Sequence, residues 1–152
     1  MAFADPIKEL ALSLGFNKDD VYGTQEQKLI VNQEWGISGR TFMQAVGTDL
    51  FRHHISKVLP ELKLNERNIW ARAVEIKLLH RSSPVVITDV RFPDEAKMIQ
   101  DLGGCVILIQ RNDVQGLSTH SSEMSVNSIV PDLVIENNGT LEAFNQKIEQ
   151  LL

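Results

Sequence analysis

The sequence predicts an α/β fold, a parallel sheet flanked by helices. Two observations carry that prediction. Three short continuous apolar runs, "PVVITD" (84–89), "CVILIQ" (105–110) and "DLVIEN" (132–137), have the pattern of strands buried on both faces. Segments of helical period lie between and around them, and strands alternating with helices imply parallel pairing. At 152 residues the chain has the length of one domain that can bury a core without staples.

The elements follow in order. Phe3, Ile7, Leu10, Ala11 and Leu14 recur at helical spacing, with Asp5 and Pro6 as a cap and first-turn pair and Gly15 as the stop. "FNKDDVYGT" (16–24) is polar and turn-rich and reads as a loop. Residues 25–35 have the composition of a short helix. Phe42, Val46, Leu50 and Ile55 predict a helix over 40–59, with a break at Gly47. "NERNIWARAVEIKLLH" (65–80) predicts another, capped by Asn65. After the first strand, Pro93 opens a helix that runs to Leu102 and stops at Gly103 and Gly104. Residues 112–131 have no clear period and read as a loop or mobile flap. Thr140 caps a final helix with Leu141, Phe144, Ile148 and Leu151 turned inward.

Composition excludes several classes. The formal net charge is −5 and the pI about 5.3, which argues against nucleic-acid or membrane-surface binding. No stretch approaches the ~20 apolar residues of a membrane span, and the N-terminus lacks the pattern of a signal peptide. The expectation is a cytoplasmic protein. Cys105, the single cysteine, is expected to be a buried, inert thiol beside Val106 and Ile107.

In open α/β sheets ligands sit beyond the carboxyl ends of the strands. Those ends carry Thr88, Asp89 and Arg91, then Gln110 and Arg111, then Asn137, Asn138 and Gly139. Two arginines suit an oxygen-rich anion, which a guanidinium grips in a planar fork. An aspartate among them suits a hydrated magnesium ion. The alternative is that Asp89 and Arg91 merely pair or cap the next helix. Upstream, Arg40, Gln44, Thr48 and Arg52 recur every four residues, so a helix places them on one face. That face could hold a phosphate and a base edge, or it could be a solvated surface. His53 and His54 are adjacent and cannot jointly chelate, and zinc-type spacing is absent. His120 lies in "THSSE" beside Ser121, Ser122 and Glu123, without the elbow or third member of a nucleophilic triad.

Six stretches in order, "FADPIKE", "GRTFMQAVGTDLFR", "VVITDVRFPDEA", "GGCVILIQR", "HSSE" and "DLVIENNGT", resemble the phage-type deoxynucleoside monophosphate kinases, a family of P-loop kinases. "ITDVRFPDEA" is also similar to the "DGFPR" strand end of adenylate kinases. The resemblance runs from residue 2 to nearly 150. It implies phosphoryl transfer from ATP to a deoxynucleoside monophosphate with Mg2+. It implies that Arg40, Gln44, Thr48 and Arg52 line the acceptor pocket, with Trp70 walling the base and Asp5 and Lys8 at its mouth. Arg91 would hold the acceptor's phosphate and Asp89 would stand near magnesium. Arg111 and residues 112–124 would form a lid, with Asn137, Asn138 and Gly139 near the donor base.

The sequence also departs from that family. Such kinases carry a strand, then G-x-x-x-x-G-K-[ST], then a helix, and none of the nine glycines here is followed by lysine. The chain begins where the family has already passed its first strand and P-loop. The expected fold is therefore P-loop-kinase-like without the first strand and P-loop. The two strands flanking that gap would close on each other, accept another chain, or pair in a homodimer. Three functions follow: a kinase whose P-loop is supplied elsewhere, a non-catalytic module that binds a mononucleotide, or an interaction domain with a vestigial pocket.

Overall fold

The computed structural model describes residues 1–112 and 125–151. The chain forms two compact units, Met1–Asp89 and Val90–Leu152. The first is helical and the second is α/β, with a small two-stranded parallel sheet.

In the first unit α1 spans Asp5–Ser13, and Gly15 follows it with φ +93°, a left-handed conformation that favours glycine. Asp5 does not cap this helix. Its Oδ2 accepts the Ala2 N–H at 2.7 Å, while Ala4 holds the cap position. The predicted loop 16–24 contains α2, Lys18–Tyr22. Polar composition hid it, because Asp20 acts locally: its buried Oδ2 accepts the Asn17 N–H at 2.8 Å and the Asn32 amide at 2.9 Å. Thr24 and Gln27 form a reciprocal cap on α3, Gln25–Leu29. Phe16, Ala11 and Val21 make the centre of the core, with Phe42, Met43 and Leu12 packed against them. Phe16 lies between the ring of Phe42 at 4.8 Å and that of Trp35 at 6.1 Å.

The helix expected over 40–59 is three pieces: α4, Gly39–Gln44; a π-helix, Ala45–Arg52; and α5, Ile55–Val58. Gly39 opens α4 against the Asp20 carbonyl, where an added Cβ would collide with backbone. Next comes α6, Ile69–Leu79. Its cap is Asn68, whose Oδ1 accepts the N–H groups of Trp70 and Ala71 at 2.8 and 3.1 Å. Asn65, the expected cap, instead has φ +51°, and Glu66 follows at +63°, so the chain turns there before the helix starts.

The run "PVVITD" forms no strand and belongs to no sheet. Its exposure alternates, with Val85, Ile87 and Asp89 half-buried and Val86 and Thr88 exposed. The alternation of a strand is there without the ladder: a ladder needs a partner about 4.8 Å away, and among the described residues none pairs with this run.

In the second unit Pro93 opens α7, Pro93–Asp101, and Gly103 at φ +79° ends it. β1, Ile107–Gln110, pairs in parallel with β2, Leu133–Glu136, in the register Ile107 to Leu133. A one-turn 3₁₀ helix spans Ser125–Ser128. Asp132 ties the unit together. Its Oδ2 accepts the Val106 N–H at 2.7 Å and the Gln100 amide at 3.1 Å, and these donors hold its carboxyl below the usual carboxylate range. Thr140 caps α8, Leu141–Glu149, as expected, through the Ala143 N–H.

Burial in this unit is thinner than the apolar runs predict. Parallel partners share a face, so Ile107, Ile109, Leu133 and Ile135 lie together. Ile135 is buried, but Ile107, Ile109 and, on the other face, Val134 are exposed. Leu141 and Leu151 are exposed rather than inward, while Phe144 and Ile148 are half-buried. Cys105 is exposed as well, because it sits in the turn after Gly104, before the strand begins at Ile107.

Candidate functional site

The first unit brings together most of the residues singled out upstream. Three helices meet at Gly47, which is buried in the π-helix. On one side its Cα faces Ile7 of α1, leaving room for a methyl group at an ordinary 3.5 Å. On the other, its carbonyl accepts the indole N–H of Trp70 from α6 at 2.7 Å. The Trp70 ring also lies against Phe51 at 5.2 Å, tilted by 50°. Trp70 and the helix bearing Arg40, Gln44, Thr48 and Arg52 are therefore one assembly.

All four of those side chains are half-buried, which a purely solvated face would not give. The neighbouring positions Thr41, Ala45, Asp49 and His53 take the solvent instead. Arg40 is oriented by Gln25, whose Oε1 accepts from Nη1 at 2.6 Å. The row supplies two guanidinium groups, an amide and a hydroxyl with no carboxylate among them, a set suited to an anionic ligand with a polar base edge.

Asp89 occupies a structural position in this unit. Its Oδ1 accepts the Phe3 N–H at 2.7 Å and its Oδ2 the Ala4 N–H at 2.9 Å, so it holds the turn that leads into α1. An ionised carboxylate has about four acceptor sites, so each oxygen keeps one lone pair. Lys8, further along α1, places its ammonium 5.1 Å from the centre of the Tyr22 ring. Among the described residues no three His, Cys, Asp or Glu side chains gather as a metal-binding group.

Arg91 and Arg111 belong to the second unit, and both are exposed. The Arg91 backbone is fixed from below. Buried Glu95 accepts the N–H groups of Arg91 and Phe92 through Oε2 at 3.0 and 3.2 Å, which closes the turn before α7. Asn138 Oδ1 accepts the Asn112 N–H at 2.9 Å, and the Asn137 N–H donates to the Gln110 carbonyl at 2.7 Å, so the ends of β1 and β2 are tied. Gly139 follows in the exposed turn. Residues 113–124, which hold most of the expected lid and the His120 to Glu123 stretch, lie outside the described residues.

Residue patterns alone missed Gln25, Phe51, Asn68, the Gly47 carbonyl and Glu95. The Glu95 role was readable, since "RFPDE" places a glutamate three residues after Phe92 at a Pro-opened helix. The Asn68 cap was readable in "NIWAR" by the same logic. Gln25 and the Gly47 carbonyl act across the fold and leave no local signal.

Residues 17–148 match the family model for deoxynucleotide monophosphate kinase. A protein of Acanthamoeba polyphaga mimivirus, provisionally named deoxynucleotide monophosphate kinase, is 40% identical over 154 residues, covering 97% of this chain and 79% of its own. The deoxynucleotide monophosphate kinases of Enterobacteria phage T4 and Escherichia phage RB69 are 27% and 29% identical, over 99% and 80% of this chain. The chain spans 57% and 47%, about half, of those two phage enzymes. No solved structure matches. With the family model covering most of its length and a 40% identical relative covering nearly all of it, the chain belongs to the deoxynucleotide monophosphate kinase family.

Proposed function

We propose that this chain carries the acceptor side of a deoxynucleoside monophosphate kinase, the part that binds the nucleotide receiving phosphate from ATP. The supporting observation is the half-buried row Arg40, Gln44, Thr48 and Arg52 joined to Trp70 through the Gly47 carbonyl. Phosphoryl transfer asks mainly for positioning and for positive charge around the moving group. In this reading Arg40 and Arg52 bind the acceptor phosphate, Gln44 and Thr48 read sugar or base, and Trp70 walls the base. Asp5 and Lys8 flank the entrance. For the second unit taken by itself, the reading gives Arg91 a phosphate, Arg111 the transferring group, and Asn137, Asn138 and Gly139 the donor base. The kinase reading extends to the architecture, a P-loop-kinase-like fold.

Magnesium, if bound, would supply positive charge to the phosphates during transfer, and Asp89 is the residue that would hold it through water. Asp89, with one lone pair left on each oxygen, suits a magnesium-bound water better than direct coordination. The chain carries no G-x-x-x-x-G-K-[ST] run, which favours a second reading, nucleotide binding without transfer by this chain alone. A homodimer or a partner strand belongs to either reading, with exposed Ile107 and Ile109 on β1 as the supporting feature.

Calorimetry with each deoxynucleoside monophosphate tests the binding claim. At least one should bind, and Arg52→Ala or Arg91→Ala should weaken it about tenfold or more, the scale of a charged hydrogen bond. Absence of binding to all four, or equal binding by the variants, removes this pocket. A coupled assay with ATP and Mg2+ then separates transfer from binding, and light scattering gives the oligomeric state.

A further inference from the structure

We infer that the π-helix at Ala45–Arg52 is a registering device, locked by the Trp70 indole N–H on the Gly47 carbonyl, that lines up Arg40, Gln44, Thr48 and Arg52 as one straight row. The inference rests on the acceptor-site reading for its purpose, and on backbone geometry for its substance.

In an α-helix each residue turns about 100°, so side chains four apart drift about +40°. From Arg40 to Arg52 the drift would reach about +120°, a third of the way round the helix. A π-helix bonds each N–H to the carbonyl five residues back and holds ~4.4 residues per turn, so a step of four drifts about −33°. Here the first step, Arg40 to Gln44, is α-helical and the next two are π-helical. The drift is then roughly +40, −33 and −33°, which leaves Arg52 about 26° from Arg40. The wider turn cancels the drift of the narrower one.

The hydrogen bonds at the end of the segment and the exposure of two of its rows agree with this arithmetic. The His53 N–H donates to the Thr48 carbonyl, five residues back, at 3.2 Å, and the His54 N–H returns to the four-residue pattern on Leu50 at 3.0 Å. Two rows at a spacing of four also keep one exposure throughout, 40, 44, 48 and 52 half-buried and 41, 45, 49 and 53 exposed, while in the row 42, 46, 50 and 54 the first two are half-buried and the last two exposed. A spacing of four is the mean of the two helix types.

The π form needs a support, because its wider turn is rare outside stretches that the surroundings hold. Trp70 supplies one at the segment's third residue, where its N–H meets the Gly47 carbonyl from outside the helix at 2.7 Å. Trp70 is thus a positioning residue for Arg52, in addition to any contact with a base.

The test compares wild type, Trp70→Phe, Arg52→Ala and the double variant. Trp70→Phe keeps a ring against Phe51 but removes the N–H together with part of the indole's volume, so Phe51→Leu serves as the control for packing. Affinity for the deoxynucleoside monophosphate that wild type binds best is read by calorimetry, and the acceptor of the His53 N–H by NMR coupling across the hydrogen bond. The expectation is that Trp70→Phe weakens binding about tenfold, moves the His53 coupling from the Thr48 carbonyl, five residues back, to the Asp49 carbonyl, four back, and leaves Arg52→Ala with less than about a twofold further effect. Multiplying effects, or a His53 coupling still to Thr48 in Trp70→Phe, would overturn the lock. Phe51→Leu keeps the N–H bond and should bind near wild type; an effect as large as that of Trp70→Phe would assign the register to packing and also overturn it. If wild type binds none of the four nucleotides, the acceptor reading is what fails, and the acceptor of the His53 N–H alone decides for or against the lock.

Discussion

Replacing Asp89 by alanine separates two roles that the sequence assigns equally well to a carboxylate at that place. The structure gives it two backbone partners, the N–H groups of Phe3 at 2.7 Å and of Ala4 at 2.9 Å. Phe3 is buried and Ala4 half-buried, so neither amide regains full hydration when the acceptor goes. Hydrogen bonds to a charged group contribute about 1.5–3 kcal/mol each, and the half-buried setting of Asp89 puts these near the lower end. Asp89→Ala should therefore destabilise the first unit by about 2–4 kcal/mol. Asp89→Asn keeps one acceptor oxygen and turns an NH₂ toward the other amide, so it should cost roughly half as much. Both tryptophans, Trp35 and Trp70, lie in the first unit, so their fluorescence during urea unfolding reads that unit alone. A carboxylate serving only metal-bound water would leave the urea midpoint unchanged. An Asp89→Ala shift worth less than about 0.5 kcal/mol would refute the structural role.

Glu95→Ala removes the buried carboxylate that accepts from the Arg91 and Phe92 amides and should cost about 1–3 kcal/mol, read by far-UV circular dichroism in urea. Gly39→Ala drives a methyl group into the Asp20 backbone and should lower the melting temperature by several degrees, whereas Gly47→Ala meets only Ile7 at van der Waals distance and should be neutral or slightly stabilising by ~0.5–1 kcal/mol. The Asp132 carboxyl titrates lower in the folded chain than in the unfolded one, so the stability it confers is complete above the ordinary aspartate range and is lost as pH falls through its depressed value. The acid limb of thermal stability, below about pH 4, should be shallower in Asp132→Asn than in wild type.

Local signals carried a good part of this fold. Gly15 and Gly103 end their helices, Pro93 opens one and Thr140 caps another, because each acts through its own few residues. The first of three expected strands failed for a physical reason: an apolar run reports burial tendency, but a ladder also needs a neighbour, and "PVVITD" has none among the described residues. Asn65 and Asn68 illustrate a competition between equally good caps that the backbone settles three residues later than expected. At the site, a spacing of four groups Arg40, Gln44, Thr48 and Arg52, and all four are half-buried where the positions after them are exposed. That spacing assumed an α-helix, in which the row would spiral away. The wider turn that straightens it depends on contacts from α1 and α6, which no window of sequence contains.

Cys105 is the one thiol in 152 residues, and it is exposed beside the start of β1. A maleimide dye will therefore attach at a single known place, on the unit that holds Arg91 and Arg111, without any engineered cysteine. The same chemistry sets a trap. In air two chains can join through that sulfur, and a gel or scattering trace would then report a dimer made by oxidation. Any measurement of self-association on this protein belongs in the presence of a reductant, or on Cys105→Ser.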